Sequence, residues 1–309
     1  RASTVRCTMT IQFGVHTGPS NTTVAELQHM WRYVEERPFD WISIWDHLYS
    51  ADTISPHNFD AVAIHTALAM STTRVRCGSL VYCAAYRHPA VLAKAMATID
   101  HLSNGRCEFG IGAGWAKFEF NAYGIPYQHR RVRLNVMEES LRTIKALLHR
   151  ESDQPVSVAG AHFTTSEAQF EPAPIQRHLP LWVGGAGEQR TLRIAAAYAD
   201  GWNIPFVAPD VFAHKCAVLD QRCEEIGRDP AKILRSVNLG YAADETSLRA
   251  QLGDLTEAGR GGFLTGSPQQ IAEQVEAYVA AGANQINLAL RAPFSYEAVD
   301  AVAEYIRLR

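Results

Sequence analysis

An aspartate and a histidine, Asp46 and His47, follow one another at the end of the apolar segment Trp41–Trp45. Histidine gives or takes a proton near neutral pH, and the reduction or oxidation of a flavin-like ring requires such a proton. His47 is therefore the candidate for a catalytic proton donor or acceptor. The alternative is that the two side chains only form hydrogen bonds to neighbouring loops.

Two glycine-rich segments have the composition of loops that approach a ligand closely. Gly110–Gly114 begins the pattern G-x-G-x-x-G, but Trp115 stands at its sixth position and no acidic residue is placed to hold a ribose. A dinucleotide site of the Rossmann type therefore has little support. Gly184–Gly187 precedes a helical pattern that starts at Arg190, so its backbone N–H groups can face an anion, with a hydroxyl added by Thr191. A tight turn without a ligand is the alternative.

Composition and missing motifs exclude several classes of function. The 29 basic and 32 acidic residues give a net charge of -3, whereas a nucleic-acid-binding protein is normally strongly basic. The patterns H-E-x-x-H and G-x-S-x-G are absent, which leaves a metal enzyme and a serine hydrolase without support. Six cysteines without C-x-x-C spacing indicate a reducing cytoplasm, and the longest apolar run, Leu80–Tyr86, is far too short for a membrane span.

Strand-like and helix-like segments alternate along the whole chain. This alternation predicts one (β/α)8 TIM barrel, residues 1–309, with inserted segments at about 113–131, 151–179 and 242–266. An open, doubly wound sheet is the less economical alternative. The predicted strands are Ile11–His16, Trp41–Trp45, Val75–Val81, Cys107–Gly112, Leu181–Gly184, Gly201–Ile204, Ile233–Tyr241 and Gln285–Leu290.

A barrel of this kind carries its active site at the carboxyl ends of the strands. The glycine-rich segments and the Asp-His pair all fall at such ends, so they converge on one rim. A flat aromatic ligand with a phosphate arm suits that rim. Four aromatic residues at or just beyond the strand ends are predicted to wall an apolar substrate pocket: Trp45, Trp115, Trp202 and Phe206.

Seven stretches in their order and spacing resemble the bacterial luciferase-like flavin and deazaflavin oxidoreductases, especially the actinobacterial branch that uses coenzyme F420. The resemblance covers nearly the whole chain, and that family also has a (β/α)8 barrel with inserted segments. The stretches are Ser43–His47 (SIWDH), Tyr86–Ala93 (YRHPAVLA), Asp100–Trp115 (DHLSNGRCEFGIGAGW), Ala122–Pro126 (AYGIP), Leu181–Gly187 (LWVGGAG), Thr191–Asn203 (TLRIAAAYADGWN) and Gly266–Val275 (GSPQQIAEQV).

The resemblance implies roles for individual residues. His47 matches the residue that in many relatives lies beside the reactive ring position, and Asp46 matches a neighbour that contacts the cofactor. Ser79-Leu80 falls where deazaflavin-binding relatives carry a non-prolyl cis peptide behind the ring. The loop along the ring edge corresponds to Gly112, Ala113 and Gly114, and the phosphate-binding turn to Gly185, Ala186 and Gly187, with Thr191 beside it.

Two departures from the family pattern bear on cofactor and substrate. Relatives that oxidise a sugar phosphate carry a glutamate where this chain has Trp115, which speaks against a sugar-phosphate substrate. Relatives of the luciferase type carry an FMN-binding arginine where this chain has Ala113, which favours F420 over FMN. The acidic tail of F420 is expected to meet Arg130, Arg131 or Arg133.

The leading hypothesis is thus an F420-dependent oxidoreductase that moves a hydride between C5 of the deazaflavin and a small-molecule organic substrate. An FMN-dependent monooxygenase supplied with reduced flavin by a separate reductase is the alternative, and a non-catalytic cofactor-binding barrel is the third hypothesis. By family analogy we expect a homodimer. Neither a nucleic acid nor a membrane is an expected partner.

Overall fold

The computed structural model describes residues 11–50, 55–150, 153–244, 246–247 and 260–309. The strands in this part of the chain are β1 Gln12–Thr17, β2 Trp41–Ile44, β3 Arg76–Ser79, β4 Tyr82–Cys83, β5 Phe109–Gly112, β6 Val156–Val158, β7 Thr165–Ala168, β8 Leu181–Gly184, β9 Gly201–Pro205, β10 Leu234–Ala242, β11 Phe263–Thr265 and β12 Gln285–Leu290. The helices are α1 Val24–Glu35, α2 Ala61–Ser71, α3 Pro89–Leu102, α4 Lys117–Ala122, α5 Arg130–Leu148, α6 Thr191–Tyr198, α7 Pro209–Glu224, α8 Pro268–Ala280 and α9 Tyr296–Leu308.

Nine of these strands form a parallel barrel. They hydrogen-bond in the order β3-β2-β1-β12-β10-β9-β8-β5-β4, and a parallel bridge between Cys77 and Cys107 joins β3 to the start of the β5 segment. The predicted third strand, Val75–Val81, contains β3, and the short strand β4 follows just beyond its predicted end. Counted as one position, β3 and β4 bring the nine strands to eight positions. The predicted (β/α)8 barrel is therefore confirmed.

The alternation of side chains along the strands divides the buried residues into two groups. Val15, Ile42 and Val183 belong to a large apolar cluster packed against the surrounding helices. Trp41 and Trp182 belong to a small separate cluster, and their rings meet edge to face with centroids 4.9 Å apart. The barrel is thus filled by large side chains and is not an open pore.

The inserted segments carry their own elements. Helix α4 lies within the predicted insertion 113–131. The antiparallel pair β6–β7 lies within 151–179, and its second strand, Thr165–Ala168, lies wholly beyond the predicted hairpin Val156–Phe163. Within 242–266, β11 pairs with β10, whereas residues 245 and 248–259 lie outside the described residues.

Two further findings concern the class of protein. In the part of the chain that the structure describes, every helix is too short or too polar to cross a membrane. The five cysteines among the described residues are buried free thiols.

Arg106 joins three segments at the amino-terminal end of the barrel. Its guanidinium donates to the carbonyl oxygens of Ala69 and Thr72 at the end of α2 and of Val75 before β3, at 2.7–2.8 Å. It also donates to the carbonyl oxygen of Ser103 after α3. Since helix carbonyls at a carboxyl terminus lack partners within the helix, Arg106 satisfies groups that would otherwise need water.

Replacement of Arg106 by methionine should destabilise the protein by about 3 kcal/mol, because several carbonyl oxygens lose a charged donor at once. Urea denaturation followed by tryptophan fluorescence measures this loss. The matched control is Arg193→Met on the exposed face of α6, which should change stability by less than about 0.5 kcal/mol. Equal midpoints for the two variants would contradict this account.

Candidate active site

A buried glutamate that sequence reasoning missed holds His47 in place. Glu119, on α4, has no exposed surface, and its Oε1 lies 2.7 Å from Nδ1 of His47. Its Oε2 accepts a hydrogen bond of 2.6 Å from the hydroxyl of Tyr86. His47 and Glu119 are 72 positions apart, and no spacing in the sequence joins them. The one available signal was an acidic residue between two aromatic ones, Phe118 and Phe120.

The charge on Glu119 determines how the histidine ring is used. Burial opposes ionisation of this carboxyl, but the hydrogen bonds from His47 and Tyr86 outweigh burial, and the pKa of Glu119 is lowered. An ionised carboxylate accepts hydrogen bonds only, so it retains the proton on Nδ1 of His47. Nε2 is then the nitrogen left for proton exchange with a substrate.

Asp46 is also buried, but its hydrogen bonds go to residues other than His47 and Glu119. Its Oδ2 accepts hydrogen bonds from the backbone N–H of Cys83, at 3.0 Å, and from Nη1 of Arg87, at 2.6 Å. Arg87 also forms an ion pair with Asp60. Burial raises the pKa of Asp46, and the Arg87 guanidinium opposes that rise. Among the described residues, Oδ1 of Asp46 has no hydrogen-bond partner.

The break between β3 and β4 contains a non-prolyl cis peptide, but one bond further along than the resemblance implied. It joins Leu80 to Val81, so the expectation of a cis bond at Ser79-Leu80 was wrong by one residue. The side chain of Val81 fills the space next to Gly112 and Gly184, where an added Cβ would lie 2.7–2.8 Å from its methyl groups. Glycine at these two positions is thus required by packing against Val81.

Hydrogen bonds and close packing also hold Ser79 and the loop that follows β5 in place. The hydroxyl of Ser79 bonds to the backbone N–H and the carbonyl oxygen of Gly110, and it has no exposed surface. Ala113 is half-buried, and Gly114 adopts φ +74° with Cys83 beside it. Nε of Arg133 donates to the carbonyl oxygen of Gly114 at 3.2 Å, which ties this loop to α5.

The turn Gly184–Gly187 collects groups that bind anions. An added Cβ at Gly187 would lie 2.8 Å from Oγ1 of Thr191 and 3.2 Å from Nη2 of Arg130. The hydroxyl, the guanidinium and the glycine backbone thus border one small space at the start of α6, as the binding of a phosphate requires. Arg131 lies exposed on the first turn of α5.

Three of the four predicted wall aromatics lie at the rim. The ring of Trp45 is 5.1 Å from that of His16, and Trp115, 62% exposed, meets the ring of His47 edge to face at 5.5 Å. Phe206 stacks on the ring of Phe263.

Trp202 is placed differently from the prediction. It is fully buried in the apolar cluster outside the barrel and stacks on Phe212. Its Nε1 donates to the carbonyl oxygen of Gly185 at 2.8 Å. Trp202 therefore supports the turn Gly184–Gly187 from behind and does not line a pocket. The reason is the alternation along β9, which turns its neighbour Asn203 into the barrel and Trp202 out of it.

These observations fit a flavin or deazaflavin. The space at Gly187 has the donors that a phosphate arm needs, and Oδ1 of Asp46 is a buried oxygen with bonding capacity left among the described residues. Both lie at carboxyl ends of barrel strands, on the same rim as His47.

The chain belongs to the luciferase-like monooxygenase family, whose model matches residues 5–253. An uncharacterized protein of Mycobacterium tuberculosis is 30% identical over 213 residues, which are 69% of this chain and 71% of that protein. A phthiodiolone/phenolphthiodiolone dimycocerosates ketoreductase of Mycobacterium kansasii is 34% identical over 169 residues. That match covers 54% of this chain and 44% of the ketoreductase.

Solved structures share the fold over nearly the whole chain. An F420-dependent secondary alcohol dehydrogenase, in complex with an F420-acetone adduct, superposes with a TM-score of 0.86 at 21% identity and covers 97% of this chain and 99% of its own. A diketocamphane monooxygenase component from Pseudomonas putida, in complex with FMN, has a TM-score of 0.75 at 16% identity, with coverage of 97% and 99%. The protein is thus a luciferase-like oxidoreductase.

Replacement of Glu119 by glutamine should destabilise the protein by about 2 kcal/mol at pH 7, because two buried hydrogen bonds lose their charged acceptor. The folded-state pKa of Glu119 lies below its ordinary value of 4.5, so its ionised form contributes its full stability above about pH 4.5. That contribution is lost as the pH falls through the lowered pKa. The difference between wild type and variant should therefore shrink from pH 7 to pH 4 and below.

Urea denaturation at a series of pH values measures this difference. Glu224→Gln, on the exposed face of α7, is the matched control and should show no pH-dependent difference from wild type. A Glu119→Gln variant as stable as wild type at pH 7 would contradict the assignment of a buried charge.

Proposed function

We propose that this protein is an F420-dependent oxidoreductase acting on an organic substrate. The observation that carries the proposal is that a histidine with one ring nitrogen held by a carboxylate and an anion-binding turn lie on the same barrel rim. A bound deazaflavin would accept or supply the hydride, while a proton is exchanged separately with the oxygen of the substrate. The similarity to the F420-dependent dehydrogenase and to the ketoreductase supports this choice.

Different residues of the chain would bind different parts of the cofactor. Thr191, Arg130 and the turn Gly185–Gly187, through the backbone N–H groups of Ala186 and Gly187, would hold the phosphate, and Oδ1 of Asp46 would accept a hydrogen bond from the ring. Val81, which follows the cis bond between β3 and β4, would lie behind the ring.

His47 carries the proton. Its Nδ1 is occupied by Glu119, so Nε2 takes a proton when the substrate is oxidised and returns it when the substrate is reduced. Trp45, Trp115 and Phe206 form an apolar wall that positions the substrate and excludes water.

An FMN-dependent monooxygenase is the second candidate, and the FMN-bound structural neighbour favours it. A phosphate-binding turn serves FMN as well as F420. Alanine at position 113, where luciferase-type relatives carry the FMN-binding arginine, is the feature of this chain that favours F420. A partner reductase belongs to the second candidate only, and dimer formation is compatible with both.

Titration with oxidised F420 and, separately, with FMN should quench tryptophan fluorescence at micromolar F420 and only at much higher FMN. Arg130→Met should weaken F420 binding about tenfold, because one charge-assisted contact to the phosphate is lost. Arg307→Met, at an exposed position of α9, is the control and should bind like wild type. Tighter binding of FMN would overturn the proposal and make oxygen consumption the next assay.

Replacement of His47 by alanine should lower turnover at least a hundredfold and leave the affinity for F420 within about twofold, because proton transfer is lost while the phosphate and ring contacts remain. The assay follows F420 absorbance with a panel of alcohols, and reduced F420 with a panel of ketones. Unchanged turnover would remove His47 from the mechanism. Binding without turnover in the wild-type protein would favour the non-catalytic barrel.

A further inference from the structure

A second histidine faces the same end of the barrel. His16 is the fifth residue of β1, and its backbone pairs with Ser43 on β2 and Ala289 on β12. It is 6% exposed, and its Nδ1 lies 2.8 Å from Oγ of Ser43. Ser43 has no exposed surface, so this bond is formed inside the barrel.

His16 lies nearer the carboxyl ends of the strands than a cluster of buried amide side chains inside the barrel. Gly14, two residues earlier on β1, pairs with Asn287, and the amide of Asn287 bonds to Asn238 and Ser236. Those amides thus bond mainly to one another. His16 stands two residues nearer the carboxyl ends of the strands, where the active site lies.

The surroundings of His16 oppose a positive charge. Burial, then the charge of Arg291 at the end of β12, then His47, lower the pKa of His16 to about 3. The groups that act on its charge are therefore a cation and a second imidazole, and its hydrogen-bond partner is the neutral hydroxyl of Ser43. His16 remains neutral across the physiological pH range.

We propose that His16 is a second polar contact for the substrate, binding through Nε2 the oxygen of an uncharged alcohol or ketone beside His47. The proposal rests on the proposed hydride transfer and names the class of substrate for it. A neutral ring offers one hydrogen bond and no charge, which suits a hydroxyl or carbonyl oxygen and not a carboxylate or phosphate. The neighbouring ring of Trp45 provides the apolar surface for the rest of such a molecule.

Ser43 allows His16 to serve both the oxidised and the reduced substrate. When the Ser43 hydroxyl donates to Nδ1, Nε2 carries the ring proton and donates to a carbonyl oxygen. When Nδ1–H donates to Ser43, Nε2 accepts from an alcohol hydroxyl. The exchange between these two tautomers changes no net charge in the buried site. His16 is therefore a positioning residue, and proton transfer stays with His47.

The first test is nitrogen-15 NMR of the histidine rings in the full-length protein, with His16 assigned by the loss of its signals in His16→Gln. The His16 signals should be those of a neutral ring throughout pH 5–8. Saturating cyclohexanone and cyclohexanol should shift them in opposite directions, toward the Nε2–H and the Nδ1–H tautomer, and cyclohexane, which lacks the oxygen, should not. A charged ring in this pH range, or no shift with either oxygenated probe, overturns the proposal.

The second test is kinetic and uses F420 as cofactor. His16→Gln should raise KM for cyclohexanol about tenfold and change kcat much less, because a neutral hydrogen bond to the bound substrate is lost. Ser43→Ala should raise KM in the same direction. His29→Gln, an exposed histidine on α1, is the matched control and should behave like wild type.

The two proposals fail in different ways. If F420 quenches tryptophan fluorescence in wild type and in His16→Gln equally, but the probes leave the His16 signals and KM unchanged, the role of His16 is wrong and the cofactor assignment stands. If the probes shift the His16 signals and F420 does not bind, the contact with the oxygen stands and the cofactor assignment is wrong.

Discussion

Two buried carboxylates at the carboxyl end of the barrel each need hydrogen-bond donors. The residues that supply those donors define the geometry of the site. A buried carboxylate without partners costs several kcal/mol, so Asp46 and Glu119 can only be buried where donors surround them. Asp46 takes its donors from Cys83 and Arg87, which joins the end of β2 to β4 and to the loop before α3. Glu119 takes its donors from His47 and Tyr86, which brings α4 down onto the rim.

The two histidines of the rim differ in their hydrogen-bond partners and in the charges near their rings. His47 bonds to an ionised carboxylate, which defines its tautomer and leaves Nε2 for proton exchange. His16 bonds to a hydroxyl, and burial together with the charge of Arg291 opposes a proton on its second ring nitrogen. One imidazole is thereby suited to transfer a proton and the other to hold an uncharged oxygen, although both rings lie at one end of the barrel.

The conformation of the turn Gly184–Gly187 depends on the residues packed behind it as well as on its own glycines. Trp202 bonds to the carbonyl oxygen of Gly185 from the outer core, and the backbone N–H of Gly185 bonds to the carbonyl oxygen of Asn203. Arg130 reaches the turn from α5, which follows the first insertion. A rigid turn loses little conformational entropy when it binds a phosphate, which is how a few backbone donors can hold one tightly.

The sequence by itself determined the barrel, the approximate positions of eight strand segments and eight helices, and the rim that carries Asp46, His47 and the glycine turn. Apolar runs and helix caps are local signals that show where strands and helices lie along the chain. Because the active site of such a barrel lies at the carboxyl ends of its strands, these signals also predict the place of the site. Only the tertiary structure decided that Glu119 meets His47, that His16 meets Ser43 inside the barrel, that Trp202 faces the core and that the cis bond follows Leu80. The contacts of Glu119 and His16 join residues 72 and 27 positions apart, which become neighbours only when the barrel closes. A local sequence pattern does not show which distant residue becomes the neighbour of a side chain when the barrel closes.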